Sequence, residues 1–104
     1  RDKKILPALT VSRELVDLVP DHPLAHATRA RVLLRNNQTK EAGRHAEKAV
    51  ELGPNDAEAH LVMGHVHGRL GQGDKAREHY EIARSNAETP GLRAEIDAAI
   101  ERLE

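Results

Sequence analysis

The sequence predicts an all-α fold in which short antiparallel helix pairs stack side by side. The main support is an internal repeat, because residues 23–56 and 57–90 are identical at nine positions when aligned at an offset of 34. Roughly two identities would be expected by chance at ordinary residue frequencies. Segments rich in Gly, Pro, Asn and Asp separate these stretches, and none shows the alternating β-branched pattern of a strand. A helix pair that recurs every 34 residues is therefore expected.

The turn segments divide the chain into six predicted helices. We place them at residues 6–18, 23–36, 40–52, 57–70, 74–86 and 90–103. The intervening loops have about three to five residues, which makes neighbouring helices antiparallel. The last helix carries a single apolar stripe, so it is either a capping helix or the first half of a further repeat.

Local signals indicate where several helices begin. Pro23 and Pro90 stand in the first turns of the second and sixth helices, where a missing N–H costs little. Thr89 can cap the sixth helix, and Asn55 or Asp56 can cap the fourth.

Residues 71–74, Gly-Gln-Gly-Asp, invite comparison with a phosphate-binding loop. No predicted strand precedes this segment, however, and no Gly-Lys-Ser or Gly-Lys-Thr follows it. We predict instead a turn between paired helices, in which one glycine takes a left-handed conformation.

The composition limits the classes of function. The chain has 104 residues, enough for a single domain, with a net charge of −1 and no cysteine. Balanced charge and scarce aromatic residues disfavour nucleic acid as a partner, and no catalytic arrangement indicates an enzyme or a cofactor. No apolar run approaches the roughly 20 residues of a membrane span. We expect a soluble chain, monomeric, cytoplasmic rather than periplasmic and, because it begins at Arg1 rather than Met, part of a longer protein.

The repeated positions resemble the motif of the tetratricopeptide repeat family. That motif has aromatic, Leu, Gly and Tyr in its first helix, then Ala, aromatic and Ala in its second, then Pro in the turn. The second full unit holds His60, Met63, Gly64, His67, Ala76, Tyr80 and Ala83 at the helical places. The first full unit holds His26, Arg29, Ala30, Leu33, Ala42, Ala46, Ala49 and Pro54. Small residues are kept where two helices cross closely, because larger side chains would push the layers apart.

The resemblance covers residues 1–90 well and 91–104 loosely, and it implies a right-handed superhelix whose first helices line a concave groove. It divides this single domain into a second helix of a truncated repeat (1–22), two full repeats (23–56 and 57–90) and a capping helix or unfinished repeat (91–104). The implied function is a protein-interaction scaffold that holds a peptide or protein segment in the groove. The alternative is a structural or regulatory segment of a larger enzyme or transport-associated protein, with no separate ligand.

Groove-facing positions carried over from the family are predicted to contact the partner. They are Ala27, Arg31, Leu34, Arg35, Leu61, His65, Gly68 and Arg69. Three arginines, one histidine and no acid in this set favour an acidic peptide. Some co-chaperones of the family bind a terminal carboxylate through a Lys/Asn clamp. Ala27, Arg31 and Val62 occupy the matching places here, so that mode is not expected.

Three of the histidines, His60, His65 and His67, lie on one predicted helix and suggest a metal site. However, His60 and His67 are two turns apart, roughly 10 Å by helix rise, and no carboxylate or cysteine completes a ligand set. We therefore predict no metal. His26, His60 and His67 are instead expected to replace the motif's aromatics in the helix interface as neutral, hydrogen-bonded side chains. Their protonation at about pH 5–6 is expected to loosen the fold.

Overall fold

The computed structural model describes residues 5–103, and within that range it contains six α-helices and no strand. The helices are α1 (Ile5–Leu18), α2 (Pro23–Arg35), α3 (Thr39–Leu52), α4 (Ala57–Arg69), α5 (Gly73–Asn86) and α6 (Pro90–Leu103). Each predicted helix is confirmed, and every end lies within one residue of its predicted position. Consecutive helices pack against each other.

The turns inside the helix pairs are equivalent in the two repeats. Asn37 and Gly71 stand 34 residues apart and both have a positive φ, 62° and 77° respectively. In each turn the next N–H returns to a carbonyl of the preceding helix: Gln38 donates to Leu33 and Gln72 donates to His67, both at 2.9 Å. This is the hydrogen bond that closes a helix C-terminus around a left-handed residue. The turn predicted at residues 71–74 is confirmed.

Side-chain caps fix the starts of α2, α4 and α6. The N–H of Ala59 donates to the Asp56 carboxylate at 3.1 Å, which selects Asp56 over Asn55 as the cap of α4. The N–H of Leu92 donates to Thr89 Oγ1 at 3.1 Å, as predicted for α6. The cap of α2 is His22, whose Nδ1 accepts from the N–H of Leu24 at 3.2 Å. Each contact satisfies an N–H that the helix itself leaves unpaired.

The helices form two layers with different spacing. Among the described residues, α2 contacts α4 and α4 contacts α6, whereas α1, α3 and α5 do not contact one another. Alanines without solvent exposure allow the close crossings that the motif predicts. They are Ala30, Ala42, Ala46, Ala49, Ala59, Ala76 and Ala83. The closely spaced helices α2, α4 and α6 therefore form the inner layer of a solenoid, and α1, α3 and α5 form its outer layer.

Arg29 occupies a place where the family motif has leucine, and the structure shows what it does there. Its side chain is buried, and its Nη1 donates to the carbonyl of Leu9 at 2.7 Å and to the hydroxyl of Ser12 at 2.9 Å. Both acceptors lie on α1. Arg29 thus fastens α1 to α2 through hydrogen bonds, where the motif residue would supply only apolar packing.

Replacing Arg29 with alanine is expected to detach α1. Hydrogen bonds from a charged donor contribute about 1.5–3 kcal/mol, so the free energy of unfolding should fall by about that amount. Hydrogen exchange should show protection lost first in the amides of α1, with α4 and α5 little changed. Arg44→Ala is the control, because Arg44 is exposed on α3. Equal loss of protection in both variants would contradict this role for Arg29.

Candidate functional site

The inner layer presents a face that spans three helices. Arg31 on α2 donates to Glu58 on α4 at 3.2 Å and to Glu95 on α6 at 3.4 Å. Arg31 therefore reaches past α4 to α6, where Glu95 lies 64 residues further along the chain. Such a contact requires the three helices to curve towards one another on this side. We call the exposed side of α2, α4 and α6 the inner face.

Three of the residues predicted to contact a partner do not lie on the surface of the inner face. Ala27, Leu34 and Leu61 are 2%, 5% and 0% exposed. Ala27 packs with Ala49 and Ala59, while Leu34 belongs to the apolar cluster beneath α2, α3 and α4. Leu61 is covered by α6. The expectation that these three line an open groove is wrong, because adjacent inner helices pack so closely that they cover the positions between them.

The other five predicted residues reach the surface. Arg35, Gly68 and Arg69 are exposed, and Arg31 and His65 are half-buried. Arg69 also donates from Nη1 to the carbonyl of Leu34 at 3.2 Å, at the C-terminal end of α2. That end carries partial negative charge, which the guanidinium offsets. Binding of a partner by these five residues remains a prediction.

The inner face carries acidic side chains, whereas the predicted groove residues included none. The Arg31 guanidinium contacts both Glu58 and Glu95, with side-chain exposures of 33% for the arginine and 42% for each acid. Arg31 is thus already paired within the chain. At the 34-residue offset, Glu95 aligns with Leu61 and Arg102 aligns with Gly68, so the repeat assigns both residues of α6 to the inner face.

His65 and Tyr80 form the floor of the inner face beside Gly68. The Nδ1 of His65 lies 2.9 Å from the Tyr80 hydroxyl, and a Cβ added to Gly68 would lie 3.9 Å from that hydroxyl. Burial raises the pKa of Tyr80, so the hydroxyl keeps its proton at neutral pH and can donate to His65. The remaining imidazole proton of neutral His65 is then on Nε2.

Positive charge surrounds this floor. Burial lowers the pKa of His65, and the nearby charge of Arg31 lowers it further. Arg102 and Arg69 act in the same direction, whereas Glu95 opposes them. His65 is therefore neutral near pH 7, and the cationic groups on this face are the arginines.

Three arginines mark one end of the inner face, which we call the basic edge. Arg35 and Arg69 are the last residues of α2 and α4, and Arg102 lies one residue from the end of α6. All three are exposed. Arg35 and Arg102 have no acidic partner within residues 5–103. Arg102 was not predicted, because the groove positions were carried over for the two full repeats only.

Two of the predicted interface histidines are buried and hydrogen-bonded, as expected. The Nε2 of His26 and of His60 lies 2.8 and 2.7 Å from the carbonyl oxygens of Pro20 and Pro54. The third, His67, is half-buried and pairs with Oε1 of Gln72 at 2.6 Å. Within residues 5–103, no group of three His, Asp or Glu side chains is placed to hold a metal ion.

The partners of the two buried histidines were not predicted. Nδ1 of His26 lies 3.1 Å from Nδ1 of His45, and Nδ1 of His60 lies 3.0 Å from Nδ1 of His79. The signal was present in the sequence, because His45 and His79 are identical at the 34-residue offset, as are His26 and His60.

No helix in the described part of the chain is long and apolar enough to cross a membrane.

Comparison with known proteins connects this architecture to one family. Residues 23–66 match one family model described as tetratricopeptide repeat, and residues 57–81 match a second model with the same description. The comparison with curated protein sequences gave no match.

Solved structures share the fold at low sequence identity. The tetratricopeptide repeat domain of Sgt2 from Aspergillus fumigatus is 19% identical with a TM-score of 0.76, and the alignment covers 97% of this chain and 69% of that one. A chain in the structure of Naa15/Naa10 bound to HypK-THB is 18% identical with a TM-score of 0.78. That alignment covers 99% of this chain and 16% of the other. These similarities show an all-α solenoid of helix pairs.

Proposed function

The chain belongs to the tetratricopeptide repeat family of protein-interaction scaffolds, and we propose that it binds an acidic peptide or protein segment along its inner face. The observation that carries the proposal is the basic edge, where Arg35, Arg69 and Arg102 end three neighbouring helices on one side. Arginine binds carboxylates through a planar fork of donors, which gives such pairs directional strength.

The inner face supports this choice of ligand by its own contacts. Arg31 already holds two carboxylates there, those of Glu58 and Glu95. Both acids lie away from the basic edge, near the first and middle turns of α4 and α6. A partner's acidic residues would therefore sit at the basic edge, where Arg35 and Arg102 have no acid within residues 5–103, and not at Arg31.

The position of α6 bears on how far the binding face extends. Glu95 and Arg102 stand one repeat after Leu61 and Gly68, and Glu95 contacts the inner face through Arg31. We propose that α6 acts as the first helix of an unfinished repeat, so it contributes to binding as well as covering Leu61. The proposed role is non-catalytic.

Charge reversal at Arg31 is a poor test of this proposal. Arg31→Glu would bring a third carboxylate beside Glu58 and Glu95 and would disturb the fold. A triple variant of the basic edge, Arg35→Gln, Arg69→Gln and Arg102→Gln, avoids that problem, because none of these residues is buried. The matched control is Lys40→Gln, Arg44→Gln and Lys75→Gln, which removes the same charge from exposed positions of α3 and α5.

The test measures binding to an array of acidic 12-residue peptides and to the same peptides with Gln and Asn in place of Glu and Asp. The parent is expected to retain acidic peptides only. The basic-edge variant should bind them about tenfold more weakly, corresponding to about 1.4 kcal/mol. The outer-layer control should match the parent. Equal weakening in both variants would mean attraction by net charge alone, and no retained peptide would favour the alternative of a structural segment without a separate ligand.

A further inference from the structure

The same two-histidine contact fastens both complete helix pairs. His26 on α2 meets His45 on α3, and His60 on α4 meets His79 on α5, each through their Nδ1 atoms. We propose that these histidine pairs are a proton-sensitive latch, which holds each helix pair closed at neutral pH and opens when the pair is forced to take up a second proton.

The hydrogen bonds fix where the protons are in the neutral state. A carbonyl oxygen only accepts, so Nε2 of His26 and His60 must donate to Pro20 and Pro54. A neutral imidazole carries one N–H, so the Nδ1 of His26 and that of His60 are acceptors. We call these two residues the inner histidines. The N–H that each of these Nδ1 atoms accepts belongs to Nδ1 of His45 or His79. One inner imidazole thereby links the preceding turn, its own helix and the following helix.

The ring geometry identifies a shared proton. The ring centroids of the two pairs are 5.3 and 5.2 Å apart, and the ring planes are inclined by 25° in both. Each centroid distance exceeds the corresponding Nδ1–Nδ1 distance of 3.1 or 3.0 Å by about one ring width. The rings therefore lie edge to edge, with the two Nδ1 atoms directed at each other. This arrangement suits one hydrogen between them and not a metal ion, on which two lone pairs would have to converge.

Each latch accepts one additional proton and resists the second. The first can occupy Nε2 of the outer histidine, His45 or His79, without changing the contact between the Nδ1 atoms. A second proton places hydrogens on both Nδ1 atoms, about 3 Å apart, and replaces an attraction by the repulsion of two cations. The inner histidines are 6% and 4% exposed, so water cannot easily screen that repulsion.

Burial and the surrounding charges also oppose protonation of the first pair. Burial lowers the pKa of His45, followed by the charges of His26 and Arg29 on α2, and Glu41 on α3 only partly opposes them.

The second latch has the same arrangement. Burial lowers the pKa of His79, followed by His60 and His67 on α4, against Glu78 on α5. His67 also stacks on His79, with centroids 5.4 Å apart and planes inclined by 10°.

The direction of the pH effect follows from proton counting. His45 and His79 have a lowered pKa in the folded chain and the ordinary value of 6.5 when it unfolds. The unfolded chain therefore binds more protons below that pH, and stability present above it is lost as the pH falls. The difference amounts to at most one proton at His45 and one at His79. For each unit by which the pH falls below 6.5, each pair thus raises the unfolding equilibrium constant by up to about tenfold, and both pairs together raise it by up to about a hundredfold.

The test compares pH dependence in the parent and in the double variant His45→Gln, His79→Gln. Glutamine can donate to a neutral imidazole or, after rotation of its amide, accept from a protonated one. The hydrogen bond is therefore kept, and the repulsion between two protonated imidazoles is removed. Between pH 7.5 and pH 5.5, denaturant titrations should show His45 and His79 together raising the parent's unfolding constant by up to about a hundredfold. The double variant should rise by less than about tenfold, since His65 still titrates.

His22→Gln is the control, because it removes an exposed imidazole outside both pairs; loss of the His22 cap of α2 should lower stability at every pH. Its curve should run parallel to that of the parent. A double-glutamine variant that also runs parallel to the parent would overturn the latch.

Imidazole ¹⁵N spectra of the unaltered chain test the proposal even if that variant fails to fold. At pH 7.5, scalar coupling across Nδ1–H···Nδ1 is expected for both pairs. On acidification each folded pair should gain a single proton, and the doubly protonated form should appear only with unfolding. Two cationic imidazoles within one pair of the folded chain, with α2–α3 and α4–α5 still packed, would refute the proposal.

Discussion

Replacing Gly64 with alanine should lower the free energy of unfolding by about 1–3 kcal/mol, the usual cost of overfilling a packed core. A Cβ at this position would overlap Cδ1 and Cε1 of Tyr80, whose side chain is only 4% exposed. In an open helix the same change stabilises by about 0.5–1 kcal/mol, because alanine has the better helix propensity. The sign of the effect is thus decided by the Tyr80 ring, which would have to leave its place against α4 and its hydrogen bond with His65.

The first repeat shows a compensating pair of residues, which the matched experiment introduces into the second repeat. Ala30 and Ala46 occupy the places of Gly64 and Tyr80 and are both fully buried, so a larger residue on α2 accompanies a smaller one on α3. In a Tyr80→Ala background, Gly64→Ala should become neutral or stabilising, which thermal melts can measure as a double-mutant cycle. Gly73→Ala is the single-site control, since a Cβ added there would have no atom within 4 Å apart from its own helix and chain neighbours. Additive effects in the cycle would contradict the steric account.

Replacing Ile96 with alanine should cost about 2–5 kcal/mol, as expected for a buried aliphatic side chain. Ile96 is fully buried on α6, in a cluster with Leu61 on α4 and Tyr80 on α5. Ile96 is the largest fully buried side chain of α6, so the loss should appear as undocking of α6. Hydrogen exchange should show the amides of α6 losing protection before those of α4.

A second isoleucine provides the control for that prediction. Ile82 on α5 is 39% exposed, so Ile82→Ala should cost less than about 1 kcal/mol. Undocking of α6 would also separate Glu95 from Arg31 and uncover Leu61, which would extend the apolar part of the inner face. Unchanged exchange in α6 after Ile96→Ala would show that other contacts are sufficient to hold it.

Features set by spacing along the chain could be predicted from the sequence. The six helices, the left-handed turn at Gly71 and the caps Asp56 and Thr89 depend on residues within a few positions of each other. The small residues at helix crossings could also be predicted, because the repeat places them in register.

Features set by what covers a helix could not be predicted in the same way. The resemblance to the family motif assigned Leu34 and Leu61 to the groove, but only the neighbouring helices determine that both are buried. Likewise, Arg29 departs from the motif for a reason that lies on another helix, in the carbonyl of Leu9. The ion pair between Arg31 and Glu95 depends on curvature accumulated over two repeats, which no local pattern encodes.

The scarcity of aromatic residues has a practical spectroscopic consequence. The chain contains one tyrosine, no tryptophan and no phenylalanine, so its ultraviolet emission comes from Tyr80 alone. That ring lies against α4 with its hydroxyl 2.9 Å from His65, so its fluorescence reports on the second repeat, whereas circular dichroism averages over all six helices. If the two signals change at different denaturant concentrations, the repeats unfold separately. If they coincide, the six helices unfold as one cooperative unit.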